Sequence, residues 1–487
     1  MFIMLRIRHL AIVFAVLVTV TGSAALAPLA QLPPLPSPSP ESSIEVTVTV
    51  ERIRALEDMG PNGPRFLVEV AAQNTTFRSP VWNHTPYVYD PWSVTLAIDD
   101  HAPLSLTIHL WDCASGHPVR CDLSPKTGDT TAALSVDILY DPLTGWWTGD
   151  DSRGDASGYG RVSGCDDGSI AAGERDAELW FSIRQQDEDG DGIPAGMEEL
   201  YGTDPAVYDA HVDHDGDGIP TGWEHHWGYH PCTWDDHATL DPDRDGLSNV
   251  EEYLTSLWGS DPLCPDVFLE IDQMEDPRGE PMLVTDSVIE MLTTAYHRRN
   301  VLYHVDDGGL GGGEIIPYDA LTVPGQLNDL YRRYFLHHDP GNWRQGVFRY
   351  GVFINRHFLV DGHAFPGNGS ITDFSRAGVN CFQISRQPLR QKTLLADQDT
   401  VDFYTACLIM HESGHTMGLY AGHPPGCDNQ FSKYPWQIGS WLYRHYRSVM
   451  NYRYTYHILD YSDGTHGPRD FDDWGHLDLT FFQPAMD

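Results

Sequence analysis

The 487-residue chain is long enough for about three domains, and 70 acidic against 30 basic residues leave a formal charge of −40. With Lys126, Lys392 and Lys433 as its only lysines, this balance argues against a nucleic-acid partner, whose phosphates need basic stripes. It argues equally against an anionic membrane surface.

At the N-terminus, Arg6 and Arg8 precede a short apolar stretch, 10–20, and the small residues Ala25-Leu26-Ala27. This reads as a secretory signal over 1–27. The apolar stretch is too short to span a bilayer, so a secreted, extracellular protein without stable membrane insertion is expected. Residues 28–43 form a Pro/Ser-rich linker. Eight cysteines in an oxidising compartment are expected to pair, with Cys113–Cys121 and Cys232–Cys264 as the local choices; no CxxC spacing suggests a redox or zinc motif.

Residues 44–185 read as an N-terminal all-β sandwich. The stretch 44–50 (IEVTVTV) alternates, and 66–70, 93–98, 104–110, 133–139 and 178–183 are β-patterned between Gly, Pro and Asp turns. No catalytic cluster is legible there. Asp99, Asp100, Asp112 and Asp122 read as turn residues before calcium ligands.

Residues 186–264 carry a repeat. Asp187, Asp189, Asp191 and Glu198 recur as Asp213, Asp215, Asp217 and Glu224, then as Asp241, Asp243, Asp245 and Glu252, at spacings of 26 and 28 residues. Each copy is D-x-D-x-D-G with glutamate at loop position twelve, the pattern of a calcium loop. Three aspartates supply carboxylate oxygens, the carbonyls of Ile193, Ile219 and Leu247 add a further ligand, and the glutamate closes the shell bidentately. The loops resemble those of EF-hands and the calcium repeats of thrombospondin-like and dockerin-like secreted proteins. No clear entering helix precedes any copy, so a rigid calcium-filled spacer is expected.

Residues 265–487 read as one α/β domain. Strands are expected at 266–271, 301–305 and 347–355, with helices at 285–299 and 325–336; the glycine-rich 306–314 (DDGGLGGGE) is expected to be a mobile surface loop. Stretch 403–427 then carries His411-Glu412-Ser413-Gly414-His415 on a buried helix. Positions four apart share a helical face, so His411 and His415 direct two imidazoles at one metal, with Glu412 beside it as a base.

With Gly418 and the later Ser448-Val449-Met450-Asn451-Tyr452, this resembles the metzincin clan of zinc endopeptidases, HExxHxxGxxH plus a methionine turn. The resemblance implies a metzincin-like zinc peptidase domain and a packing role for Met450 beneath the metal. It also implies Glu412 as general base and Tyr452 as oxyanion stabiliser. The clan's third histidine would fall at Ala421, so His423 is the expected third zinc ligand, and Asp428 is the alternative. The expectation is a calcium-stabilised zinc endopeptidase acting on a protein or peptide substrate. The rival is a non-catalytic extracellular calcium-dependent binding protein with a vestigial peptidase domain.

Overall fold

The computed structural model describes residues 43–99, 102–128, 130, 133–170, 174–279, 281–323, 326–357 and 380–480, with the backbone alone of 362–365. The signal, most of the linker, Asp100 and the end of the chain from 481 lie outside the described residues.

Strand β1 (Ser43–Ala55) buries Val46, Val48 and Val50 while Thr47 and Thr49 stay half-exposed, as a period of two requires. It pairs antiparallel with both β3 (Trp92–Asp99) and β6 (Ala177–Gln185). In the second sheet, β2 (Arg65–Ala72) pairs antiparallel with β4 (Leu104–Asp112), and β4 with β5 (Val136–Asp141). One core containing Val46, Val48, Phe66, Val68, Leu106, Ile138 and Leu179 joins the sheets. This is a β-sandwich.

All eight cysteines are free, which corrects the expected pairings. The buried Cys264 thiol points to the carbonyls of Ala156 and Asn300, whereas Cys232, on the surface, donates to Tyr201 O. Asp112, at the end of β4, and Asp122, in a bridge to Asp176, are buried and not in turns, accepting from the N–H groups of Arg65 and Ser124.

Each Asp-rich loop exits into a seven-residue helix: α1 (Ala195–Tyr201), α2 (Thr221–Trp227) and α3 (Asn249–Thr255). Pro194 and Pro220 start the first two, and Ser248 caps the third in a capping box with Glu251. The segment is no free spacer. Trp146 of the sandwich donates to His225 O of α2 at 2.8 Å, and the third loop grips the next domain, as described below.

That domain is built on β7 (Asp266–Met274), buried along its whole length. After α4 (Asp286–His297) come β8 (Leu302–Asp306), β9 (Phe348–Ile354), β10 (Gly362–Phe365) and β11 (Cys381–Ser385). The order is β8-β7-β9-β11-β10, parallel except for β10. The glycine-rich loop is ordered, not loose. The Asp306 carboxylate accepts from the N–H groups of Gly308, Leu310 and Gly312, and Arg344 clamps it to Glu270.

Sandwich and α/β domain meet at Glu178 of β6. Its carboxylate takes Arg54 at 3.0 Å, Arg161 at 2.7 Å and the His297 ring of α4 at 2.8 Å. Burial pulls Glu178 up, yet the His297 ring and the two guanidiniums hold it well below the usual carboxylate range.

Candidate metal centres

Helix α5 (Gln398–Thr416) starts at Asp397, whose side chain accepts from Thr400 N. Its last turns are buried against Tyr461, Val449 and Met450. Gly414 is a matter of space: a Cβ there would meet Met450 Sδ at 2.7 Å. Past Thr416 the helix stops, Gly418 takes φ +93, and the Leu419 carbonyl folds back onto the helix end.

That carbonyl and one other orient the two rings. His415 Nδ1 bonds Leu419 O at 2.5 Å, and His411 Nδ1 bonds Val449 O at 2.9 Å. Each Nδ1 is therefore the protonated nitrogen, and each Nε2 faces the site. Both Nε2 atoms meet one carboxylate: Asp428 Oδ1 lies 3.0 Å from His411 and Oδ2 lies 3.3 Å from His415. Asp428 is delivered by its own N–H, which bonds Met450 O at 3.0 Å. It sits at φ +52, a left-handed conformation that costs roughly 1 kcal/mol outside glycine.

His423 does not join them. It is exposed, at the end of a tight turn in which Tyr420 and His423 exchange two backbone bonds of 2.7 Å. The chain then needs five more residues to return, so the third donor at this centre is Asp428. Tyr452 stacks on His411, with ring centroids 5.9 Å apart. Glu412 is buried, and its Oε2 has no hydrogen-bond partner.

Burial would lower both imidazoles, but the Asp428 charge outweighs it, raising His411 and lifting His415 to about 9. The same charges hold Asp428 far below the carboxylate range against its own burial. The three donor atoms of His411, His415 and Asp428 lie within 4.8 Å of one another, close enough for one dication to meet all three. Two imidazoles and one carboxylate suit a transition metal over calcium.

The three Asp-rich loops share one construction. The first aspartate accepts from the N–H groups at positions four and six: Gly190 and Gly192, Gly216 and Gly218, Arg244 and Gly246. Ile193, Ile219 and Leu247 are buried beneath the loops. The closing Glu198, Glu224 and Glu252 are each no more than 1% exposed, with no partner on any of their oxygens. One oxygen of Asp189, Asp215 and Asp243 is likewise unpartnered. Burial and then neighbouring carboxylates push Glu198 up to about 7 and Asp243 up to about 9. Such a set of carboxylates is arranged to surround a positive charge.

One feature escapes the loop pattern. The second oxygen of each fifth-position aspartate accepts a distant N–H: Ala210 on Asp191 at 3.0 Å, Asp235 on Asp217 at 3.1 Å, and Asp266 on Asp245 at 2.6 Å. Each loop thereby holds the start of the next segment.

No family model matches the chain, and no curated protein matches it. Among solved structures, it is similar to human GIVD cytosolic phospholipase A2 at 13% identity and a TM-score of 0.18, over 30% of this chain and 18% of that one. It is also similar to the paired C2 domains of Extended-Synaptotagmin 2, at 12% identity and a TM-score of 0.18, over 32% and 44% of the two chains. A single C2 domain of a plant Extended Synaptotagmin 1 aligns at 13% identity and a TM-score of 0.14, over 28% of this chain and 94% of that one. The chain thus spans under a fifth of the phospholipase it resembles. None of these is a zinc endopeptidase. No comparison supports the expected zinc-dependent endopeptidase, and its protease and metalloprotease character is withdrawn.

Proposed function

We propose that this chain is an exported, calcium-dependent binding protein in which the Asp-rich loops, filled with Ca2+, lock the sandwich to the α/β domain. The supporting observation is the set of closing glutamates, buried and unpartnered on both oxygens. An ionised carboxylate costs several kcal/mol to bury alone, and bidentate ligation of Ca2+ removes that cost. A protein or peptide partner fits the run of exposed apolar side chains Phe431, Trp436, Ile438 and Trp441 that follows Asp428. Calorimetric titration of the chelator-treated full chain with Ca2+ tests the reading. Uptake is expected, reduced by one equivalent in Glu252→Gln; no uptake would sink it.

At His411, His415 and Asp428 the donor set fits Zn2+. A second reading, a metal-dependent hydrolase, is favoured by the free buried Oε2 of Glu412. A dication bound there supplies Lewis acidity. Glu412 would take a proton from water, and the Tyr452 hydroxyl would donate to a developing anion. Glu412→Gln separates the readings: metal content and partner binding persist under both, and hydrolysis is lost only under the second.

A further inference from the structure

We propose that the second Asp-rich loop is built for a first-row transition dication, Mn2+ in particular, because an imidazole belongs to its ligand shell. This rests on the reading that the loops hold cations and adds which cation the second one takes. His237 lies 13 residues beyond the closing Glu224 and is completely buried. Its Nε2 is 3.3 Å from Asp217 Oδ2 and 3.9 Å from Glu224 Oε1. It is aligned to hydrogen-bond neither. His237 Nε2 and both Glu224 oxygens are buried without a hydrogen-bond partner, and the His237, Asp217 and Glu224 donor atoms lie within 4.8 Å of one another. Three ligand atoms that converge without bonding each other describe the surroundings of an ion.

The ring is held for that purpose. Tyr229 and Trp223 pack edge-on to it at 4.8 and 6.0 Å. The Asn249 amide sits 2.9 Å from Nδ1, and its Oδ1 has no partner as placed. Turned over, that amide accepts the Nδ1 proton and leaves the Nε2 lone pair facing Asp217 and Glu224.

The other loops differ in kind. The first gathers Asp189, Asp191 and Glu198, and the third surrounds Glu252 with Asp243, Asp245 and Asp261. Both offer oxygen alone, which suits Ca2+. An imidazole nitrogen adds affinity for transition ions and little for Ca2+, and a shell otherwise made of carboxylates suits Mn2+ among them.

The experiment uses the full chain carrying His415→Ala, which disables the His411–His415–Asp428 centre, saturated with Ca2+ and then given Mn2+. One equivalent of Mn2+ should remain bound against excess Ca2+, and its pulsed EPR spectrum should show a directly coordinated nitrogen. Adding His237→Asp should keep a cation, lose the nitrogen coupling and shift preference towards Ca2+ by about tenfold or more. An unchanged nitrogen signal in that variant would overturn the proposal. Anomalous scattering at the manganese edge on the His415→Ala protein needs no second variant: density between Asp217, Glu224 and His237 supports it, and Mn2+ elsewhere overturns it. Ca2+ in all three loops would defeat this inference and leave the proposed function standing. Loops that take no cation would defeat both.

Discussion

The Asp245 carboxylate accepts a hydrogen bond at 2.6 Å from the N–H of Asp266, the first residue of β7. Its other oxygen holds Leu247 N inside the third loop. One side chain therefore links a cation loop to an inner strand of the α/β sheet. Around it Glu252, Asp261 and Asp266 are also buried, so an empty third loop places repulsion at the root of that sheet.

Calcium removal should accordingly destabilise the α/β domain as well as the loops. A site held at 100 times its Kd contributes about 2.7 kcal/mol, or about 5–10 °C in Tm for a domain of this size. Differential scanning calorimetry of Glu252→Gln in Ca2+ should show a drop of that order. A Tm equal to that of the parent would mean that the third loop carries no ion.

The geometry of the third donor makes a sharp contrast between two neighbours. Asp428→Ala should reduce transition-metal affinity by about 100-fold or more, beyond the roughly 10–100-fold of an outer-shell change. His423→Ala should leave it alone. Mass-spectrometric metal content after dialysis against a buffered Zn2+ solution reads both, and loss in His423→Ala would reject Asp428 as the donor.

Acid should weaken the seam at Glu178. Burial holds the His297 ring at about 4, against its ordinary 6.5 and despite the pull of Glu178. As pH falls from about 6.5 to 4, the unfolded chain binds a proton that the folded chain refuses, so stability declines. Glu178, held below its ordinary range, adds a loss in the same direction at lower pH. The decline is on the order of a few kcal/mol. Urea unfolding of the calcium-loaded protein should record it, and His297→Gln should flatten its upper part. A stability that rises through this window would contradict the arrangement.

Gly414→Ala should cost about 1–3 kcal/mol, the range for overpacking a filled core, since its Cβ would press Met450 Sδ at 2.7 Å. Pairing it with Met450→Ala should recover part of that loss relative to additivity. Independent costs in a double-mutant cycle would show that the two residues do not share this space.

Much was legible from local sequence. Alternation in 44–50 set the inward face of β1, because successive side chains of a strand point to opposite sides. Aspartates two apart with a glutamate at position twelve close a loop on themselves. Two histidines four apart share a helix face. Each of these is decided within about a dozen residues. The exit helices were harder to see, since seven residues carry little periodicity and depend on packing for stability.

What the chain does between such segments was decided by the tertiary structure. Asp428 displaces His423 because Met450 O receives its N–H and turns its carboxylate to both rings. The thiols stay apart because Cys264 faces buried carbonyls while Cys232 lies at the surface. His237 joins Asp217 and Glu224 through packing against Tyr229 and Trp223. The peptidase expectation leaned on a short motif, and HExxH constrains one helical turn only. Sequence named candidate cation ligands only as far apart as one loop or one helical turn. Which distant donors complete each site depended on how the segments pack, and no local spacing encodes that.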